Sequence, residues 1–165
     1  MQGFKNLVLE ANKHLRLADH MTYVTYPMLK DTKILISILD NLKKSLNKAL
    51  DAYLYYERLY KRISFSPKDF TTKIDVFQRS AAIRYNLKQY PQLIKEINFI
   101  IKKHKESPVE FSKGDKLVIC NGNYKMKILQ IKDVKDYLSK AKPFILKLSN
   151  ILKEDEIDRR SKRWD

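Results

Sequence analysis

Cysteine, glycine and histidine are scarce in this chain of 165 residues, and each shortage excludes some chemistry. The lone Cys120 cannot close an internal disulfide, and with His14, His20 and His104 it cannot supply the paired ligand spacings of a zinc site. Glu10 and His14 are four residues apart rather than three, with no second copy, so a di-metal site of the helical-bundle kind is not supported. Gly3, Gly114 and Gly122 are too few for a phosphate-cradling loop, a dinucleotide fingerprint or a nucleophile elbow. No metal, cofactor or catalytic residue is therefore expected, and a noncatalytic role is the working expectation. Long apolar runs are lacking too. The longest, residues 34–39, falls well short of the ~18 residues that span a bilayer, so no membrane contact is expected. The segment 1–6 has no apolar stretch of the signal-peptide kind, which with the single cysteine makes the cytoplasm the default location.

What the chain does have is a core and a large positive charge. Hydrophobic residues are 44% of the sequence and charged residues 32%, a balance that folds, and the length suits one domain. Thirty-four Lys and Arg against 19 Asp and Glu leave +15, a charge that attracts polyanions. The excess is dispersed: +5 over 1–63, +5 over 64–107, +2 over 108–131 and +3 over 132–165. Lysine far outnumbers arginine, and an AT-rich genome would produce the same abundance of lysine, isoleucine, asparagine and tyrosine without any selection for binding.

Spacings of three and four over residues 4–26, from Phe4, Leu7 and Val8 to Ala18 and Met21, predict a first helix that stops before Pro27. Asp31 offers a side-chain cap to a second helix over 32–63, which contains no proline or glycine. There Leu35, Leu42, Ala49, Tyr56 and Ile63 alternate with Leu39, Leu46, Tyr53 and Tyr60 in a heptad pattern. Ile38, Ser45, Ala52 and Leu59 widen that stripe, which favours the interior of a bundle over a two-stranded coiled coil; dimerisation or a protein partner through this helix stays open. Ser66-Pro67-Lys68-Asp69 predicts a helix start with serine as cap and Pro67 at the first helical position, running to about Asn86. Pro91 opens another helix, with Leu93, Ile94, Ile97, Ile100, Ile101 and His104 inward, and Ser107-Pro108 ends it.

Between 109 and 129 the apolar period changes to two, and Asn121-Gly122 predicts a two-residue hairpin loop. That register sets Cys120 against Asn123, Ile119 against Tyr124, Leu117 against Met126 and Lys116 against Lys127, with residues 109–111 as a candidate third strand. A final helix begins near Asp133 and runs to about 153 with Pro143 inside it, where a kink is expected. The expected architecture is mainly α: about five helices with a small antiparallel hairpin or three-strand meander before the last. One domain over 1–153 would comprise a helical hairpin (4–63), helices (67–105), a β-hairpin (109–129) and a helix (133–153). Residues 154–165 form a charged tail, helical or disordered.

Candidate binding residues follow from the charge. Lys116, Lys125 and Lys127 would gather on the outer face of the hairpin, where like charges opposed to each other call for an anion. Protection of exposed strand edges is the competing reading. Lys102, Lys103 and Lys105 adjoin them in sequence, although cations also favour a helix C-terminus without any ligand. In the tail Arg159, Arg160, Lys162 and Arg163 precede Trp164. Among the tyrosines, heptad spacing sends Tyr53, Tyr56 and Tyr60 inward and leaves Tyr55 exposed for base stacking. Arg16 and His20, with Asp19, share a helical face that could hold a phosphate and move a proton, or simply face solvent.

The second helix, in Ala49-Leu50-Asp51-Ala52-Tyr53-Leu54-Tyr55-Tyr56, and the closing helix, in Val134-Lys135-Asp136-Tyr137-Leu138-Ser139-Lys140-Ala141, resemble the HEPN superfamily of small helical bundles. The resemblance implies a helical fold and an RNA-directed role. Active members carry an arginine, four to six residues and then a histidine; Arg16-Leu17-Ala18-Asp19-His20 is one residue short and sits in the first helix, so no catalytic residue is carried over. The leading expectation is a noncatalytic nucleic-acid-binding protein, with RNA favoured over DNA. A protein-interaction or toxin–antitoxin bundle comes second and an RNA-cutting enzyme third.

Overall fold

A computed structural model describes residues 1–123 and 125–163; Tyr124 and Trp164 lie outside them. The expected mainly α architecture is present, with a three-stranded antiparallel sheet before the last helix.

Helix α1 (Gln2–His20) does not stop before Pro27. It continues through a π-helical turn (Met21–Thr25) into α2 (Tyr26–Leu29), so the first rod passes through the proline. In the wide turn the Tyr26 N–H donates to the Met21 carbonyl, five residues back, and the widening makes room for the proline ring that an ordinary α-turn would crowd. Lys30, in left-handed conformation at φ 51°, ends the rod. The Asp31 carboxylate then accepts from the Lys33 N–H at 2.9 Å and starts α3 (Lys33–Leu59).

The heptad stripe of α3 is buried within the molecule. Leu35, Leu39, Leu42, Leu46, Ala49 and Tyr53 have at most 1% exposure, so the fold itself covers the surface that might have served a dimer. The helix ends at Leu59 rather than Ile63. Lys61 turns left-handed and the Arg62 N–H returns to the Glu57 carbonyl at 2.9 Å, a C-terminal closure made without glycine. Tyr60 consequently leaves the core, contrary to its heptad position, and is 43% exposed.

Ser66 is not the next cap and Pro67 precedes the helix. Asp69 caps α4 (Phe70–Arg79), accepting from the Thr72 N–H at 2.9 Å and the Thr72 hydroxyl at 2.8 Å. The single helix expected to reach Asn86 is broken at Ser80, whose hydroxyl donates to the Val76 carbonyl at 2.6 Å; a one-turn α5 (Ala81–Arg84) follows. Helix α6 (Tyr90–Glu106) opens on Pro91 as expected.

Strands β1 (Val109–Lys113), β2 (Lys116–Cys120) and β3 (Met126–Leu129) are ordered β1-β2-β3. The tight two-residue connection is Gly114-Asp115, where Gly114 adopts φ 62°. The connection from β2 to β3 is longer. The Asn121 side chain accepts from the N–H of Asn123 at 3.0 Å and of Lys125 at 2.9 Å, and Gly122 has no positive φ. The β2–β3 register therefore differs from the expected one by an odd number of residues. Cys120 faces Met126, Ile119 faces Lys127, Val118 faces Ile128 and Leu117 faces Leu129. This register buries Leu129 completely at the entrance to the last helix, which the two-residue loop would not have done.

Helix α7 (Ile131–Ser161) opens with the Asp133 carboxylate accepting the Gln130 N–H at 2.9 Å, and it runs through Pro143 without interruption. It also takes in most of the supposed tail. Asp155 is buried and Glu156 pairs with Lys5 at 3.2 Å, so the helix packs onto the bundle well beyond residue 153.

Candidate nucleic-acid interface

A basic cleft lies between α3 and α6. Two reciprocal amide bonds between Asn47 and Asn98, at 3.2 and 3.1 Å, fix the helices beside each other, and Asn98 also donates to the Ile94 carbonyl at 2.8 Å. On one side of this clamp a cavity of about 520 Å³ is lined by Lys43, Phe70, Lys95, Phe99, Lys102 and Lys105. A second cavity, of about 530 Å³, shares Lys43, Ile101 and Lys105 with the first and reaches Lys44 and His104, so the two form one trough.

The electrostatics of the trough are one-sided. Lys44 is paired with Asp40 at 2.9 Å and Lys102 is 4.0 Å from Glu106, whereas among the described residues Lys43, Lys95 and Lys105 have no acidic partner. Phe99 is 55% exposed with its ring in the lining, and the Lys103 ammonium sits 5.2 Å from the ring centre. An exposed aromatic face among unpaired ammonium groups can hold a planar base and its flanking phosphates. At the sheet end of the trough His104 Nδ1 is 2.6 Å from a Glu110 carboxylate oxygen, tying α6 to β1.

Of the residues singled out from sequence, Lys102 and Lys105 line the trough and Lys103 covers Phe99. The hairpin lysines are not gathered as expected. Lys116 lies opposite Lys113 at the tight turn, Lys127 lies beside Ile119, and Lys125 belongs to the loop. The odd shift of register turned Lys127 to the other face from Lys116. Arg159 donates to the buried Asp155 at 2.7 Å, and Arg160, Lys162 and Arg163 are exposed at the far end of α7. With about 1.5 Å of rise per residue, α7 separates the sheet from those arginines by roughly 40 Å, so the ten residues do not make a single site.

Lys43, Phe70, Lys95 and Phe99 escaped the sequence reading. The spacing Lys95, Phe99, Lys102, Lys103 marks one outward face of α6 and could have been found; Lys43 and Phe70 needed the packing of three helices.

A second polar cluster closes the opposite end of the bundle. Glu57, with no exposure, accepts from Arg62 at 3.0 Å and Arg84 at 3.2 Å, and Arg62 also donates to the Tyr85 hydroxyl at 3.2 Å. Tyr56 and Tyr60 both donate to Asp155, and Arg62 lies 5.1 Å from the Tyr60 ring centre. Burial foremost, then its contact with Tyr60, pushes the Tyr56 hydroxyl well above its ordinary pKa. Elsewhere, Asp19 pairs with Lys142 at 2.7 Å while Arg16 and His20 are exposed. Tyr55 packs its ring against Gly3.

Among the described residues no group of three or more His, Cys, Asp or Glu side chains is arranged to hold a metal ion, and no helix is long and apolar enough to cross a membrane. No family model matches the chain, and no curated protein or solved structure is significantly similar to it.

Proposed function

We propose that the protein binds single-stranded nucleic acid, RNA in preference to DNA, in the trough between α3 and α6, without catalysing a reaction on it. The observation that carries this reading is the exposed Phe99 ring set among Lys43, Lys95, Lys102 and Lys105. Lysines alone would bind any polyanion. An aromatic platform selects a strand whose bases are free to stack, and a stacked base contributes about 1–3 kcal/mol. The resemblance of the second and closing helices' sequences to the HEPN superfamily favours RNA as the polymer.

Titration of a labelled oligouridine at several salt concentrations tests the reading. Four phosphate contacts on a single strand give a slope of log affinity on log salt of about −3. Phe99→Ala should weaken binding about tenfold with little change in that slope, and Lys102→Glu with Lys105→Glu should flatten it. A flat salt response in the wild type, or an equal loss from Lys153→Glu on the exposed side of α7, would sink the proposal.

A further inference from the structure

The register of the sheet leaves one of its faces without a layer. Val109, Cys120 and Met126 form one cross-strand row and Phe111, Val118 and Ile128 the next, all pointing away from the bundle. Val109 is 52% exposed, Phe111 44%, Met126 63% and Ile128 45%, while Val118, on the central strand between Phe111 and Ile128, is buried. Leu117, Ile119 and Leu129, on the opposite face, join the main core. An antiparallel sheet commonly turns polar residues to water on its free face, so two apolar rows mark a surface that something covers.

Charge and shape narrow what covers it. Lys113 and Lys116 form the next row of the same face, and the exposed Lys125 immediately precedes β3. Of the two acids within the sheet segment, Asp115 is exposed in the tight turn and Glu110 pairs with His104 at 2.6 Å. A second copy would bring the same +15 charge against this rim, which disfavours self-association. The two outer strands stand about 10 Å apart across β2, close to the diameter of an α-helix with its side chains. We propose that this face docks an acidic amphipathic helix of a partner protein, its apolar side on Phe111 and Ile128, which flank the buried Val118, and its carboxylates toward Lys113 and Lys116.

A face of three short strands is below the usual size of a stable protein interface, so the affinity should be micromolar. The probe is an 18-residue synthetic helix with leucines on one face and glutamates on the other, titrated into the ¹⁵N-labelled full chain. Saturable shifts confined to the amides of 109–129 are expected, and a scrambled peptide of the same composition should bind at least tenfold more weakly. Phe111→Ser with Ile128→Ser should abolish the shifts. Lys113→Glu with Lys116→Glu, which leaves the apolar rows intact, should weaken the glutamate peptide at least fivefold and strengthen a lysine version of it. Equal binding of the scrambled peptide, or shifts that map elsewhere, would overturn the proposal. So would a Phe111-dependent dimer in sedimentation, or no peptide binding where oligouridine or anionic vesicles perturb these same amides.

Discussion

Glu57 has no contact with solvent, yet it sits one turn from the end of α3, where a charged residue would ordinarily face water. Its two oxygens are taken by Arg62 and Arg84, which are themselves about one third and nearly one half exposed. The asymmetry sets the cost of breaking the cluster. Removing Glu57 lets both guanidinium groups turn outward, whereas removing both arginines strands a buried carboxylate, at about 3–5 kcal/mol. Arg62→Ala with Arg84→Ala should therefore destabilise the protein by roughly 3 kcal/mol in urea unfolding, and adding Glu57→Gln should recover more than half of it. If the triple variant is no more stable than the double, the burial of Glu57 is not what makes the arginines necessary. Nothing in the string Tyr56-Glu57-Arg58 announces this role. Glu57 is off the heptad stripe and reads as a solvated side chain until the left-handed turn at Lys61 brings Arg62 back over it. Phe99 is the opposite case, since its lysine neighbours at four before and three and four after are visible in the sequence alone.

The elements that sequence periodicity could reach are those whose partners are local. The apolar stripe of α3 from Leu35 to Tyr53, the helix opened by Pro91 and the change to strand period at Val109 are all set by residues within a few turns, and they stand where the spacing puts them. The ends and registers depend on more distant contacts. Pro27 signals a stop, but a π-turn absorbs it; Ser66-Pro67 has the form of a cap, but Asp69 makes the bond. Asn121-Gly122 is the stronger hairpin signal by composition, yet the two-residue turn forms at Gly114-Asp115, because the Asn121 side chain accepts from the N–H groups of Asn123 and Lys125 and Leu129 must reach the core. One substitution separates the two registers. The backbone bond from the Asn121 N–H to the Lys125 carbonyl, at 3.0 Å, makes Cys120 and Met126 a non-hydrogen-bonded pair. Their Cα atoms should then be about 4.5 Å apart, within reach of a disulfide. Met126→Cys should cross-link to the native Cys120 under mild oxidation, read by mass spectrometry, while Asn123→Cys, opposite Cys120 in the two-residue register, should stay reduced. The reverse result would restore that register and the lysine face with it.

For the molecule as a whole, its tyrosines matter more to pH stability than its +15 charge does. The ring of Tyr53 lies at the centre of the bundle with Phe77, Phe144 and Tyr85, and its hydroxyl donates to the Phe144 carbonyl at 3.0 Å. Burial drives its pKa far above the ordinary 10.0, and burial likewise raises Tyr56, Tyr85, Tyr90 and Tyr137. A group whose pKa is higher in the folded state contributes stability that is complete below its unfolded pKa and declines as pH rises past it. The loss therefore starts near pH 10, at about 1.4 kcal/mol per pH unit for each tyrosine that the fold keeps protonated. Lysines also discharge in this range, which relieves repulsion among them, but exposed charges more than about 8 Å apart are already screened at physiological salt. The tyrosine effect should dominate and unfold the chain before about pH 12. Absorbance at 295 nm should then rise in one cooperative step together with the loss of helical circular dichroism, and Tyr53→Phe should move that step upward relative to its stability at pH 7. A gradual titration of the tyrosines around pH 10 with the helices intact would mean that the core admits the ionised ring.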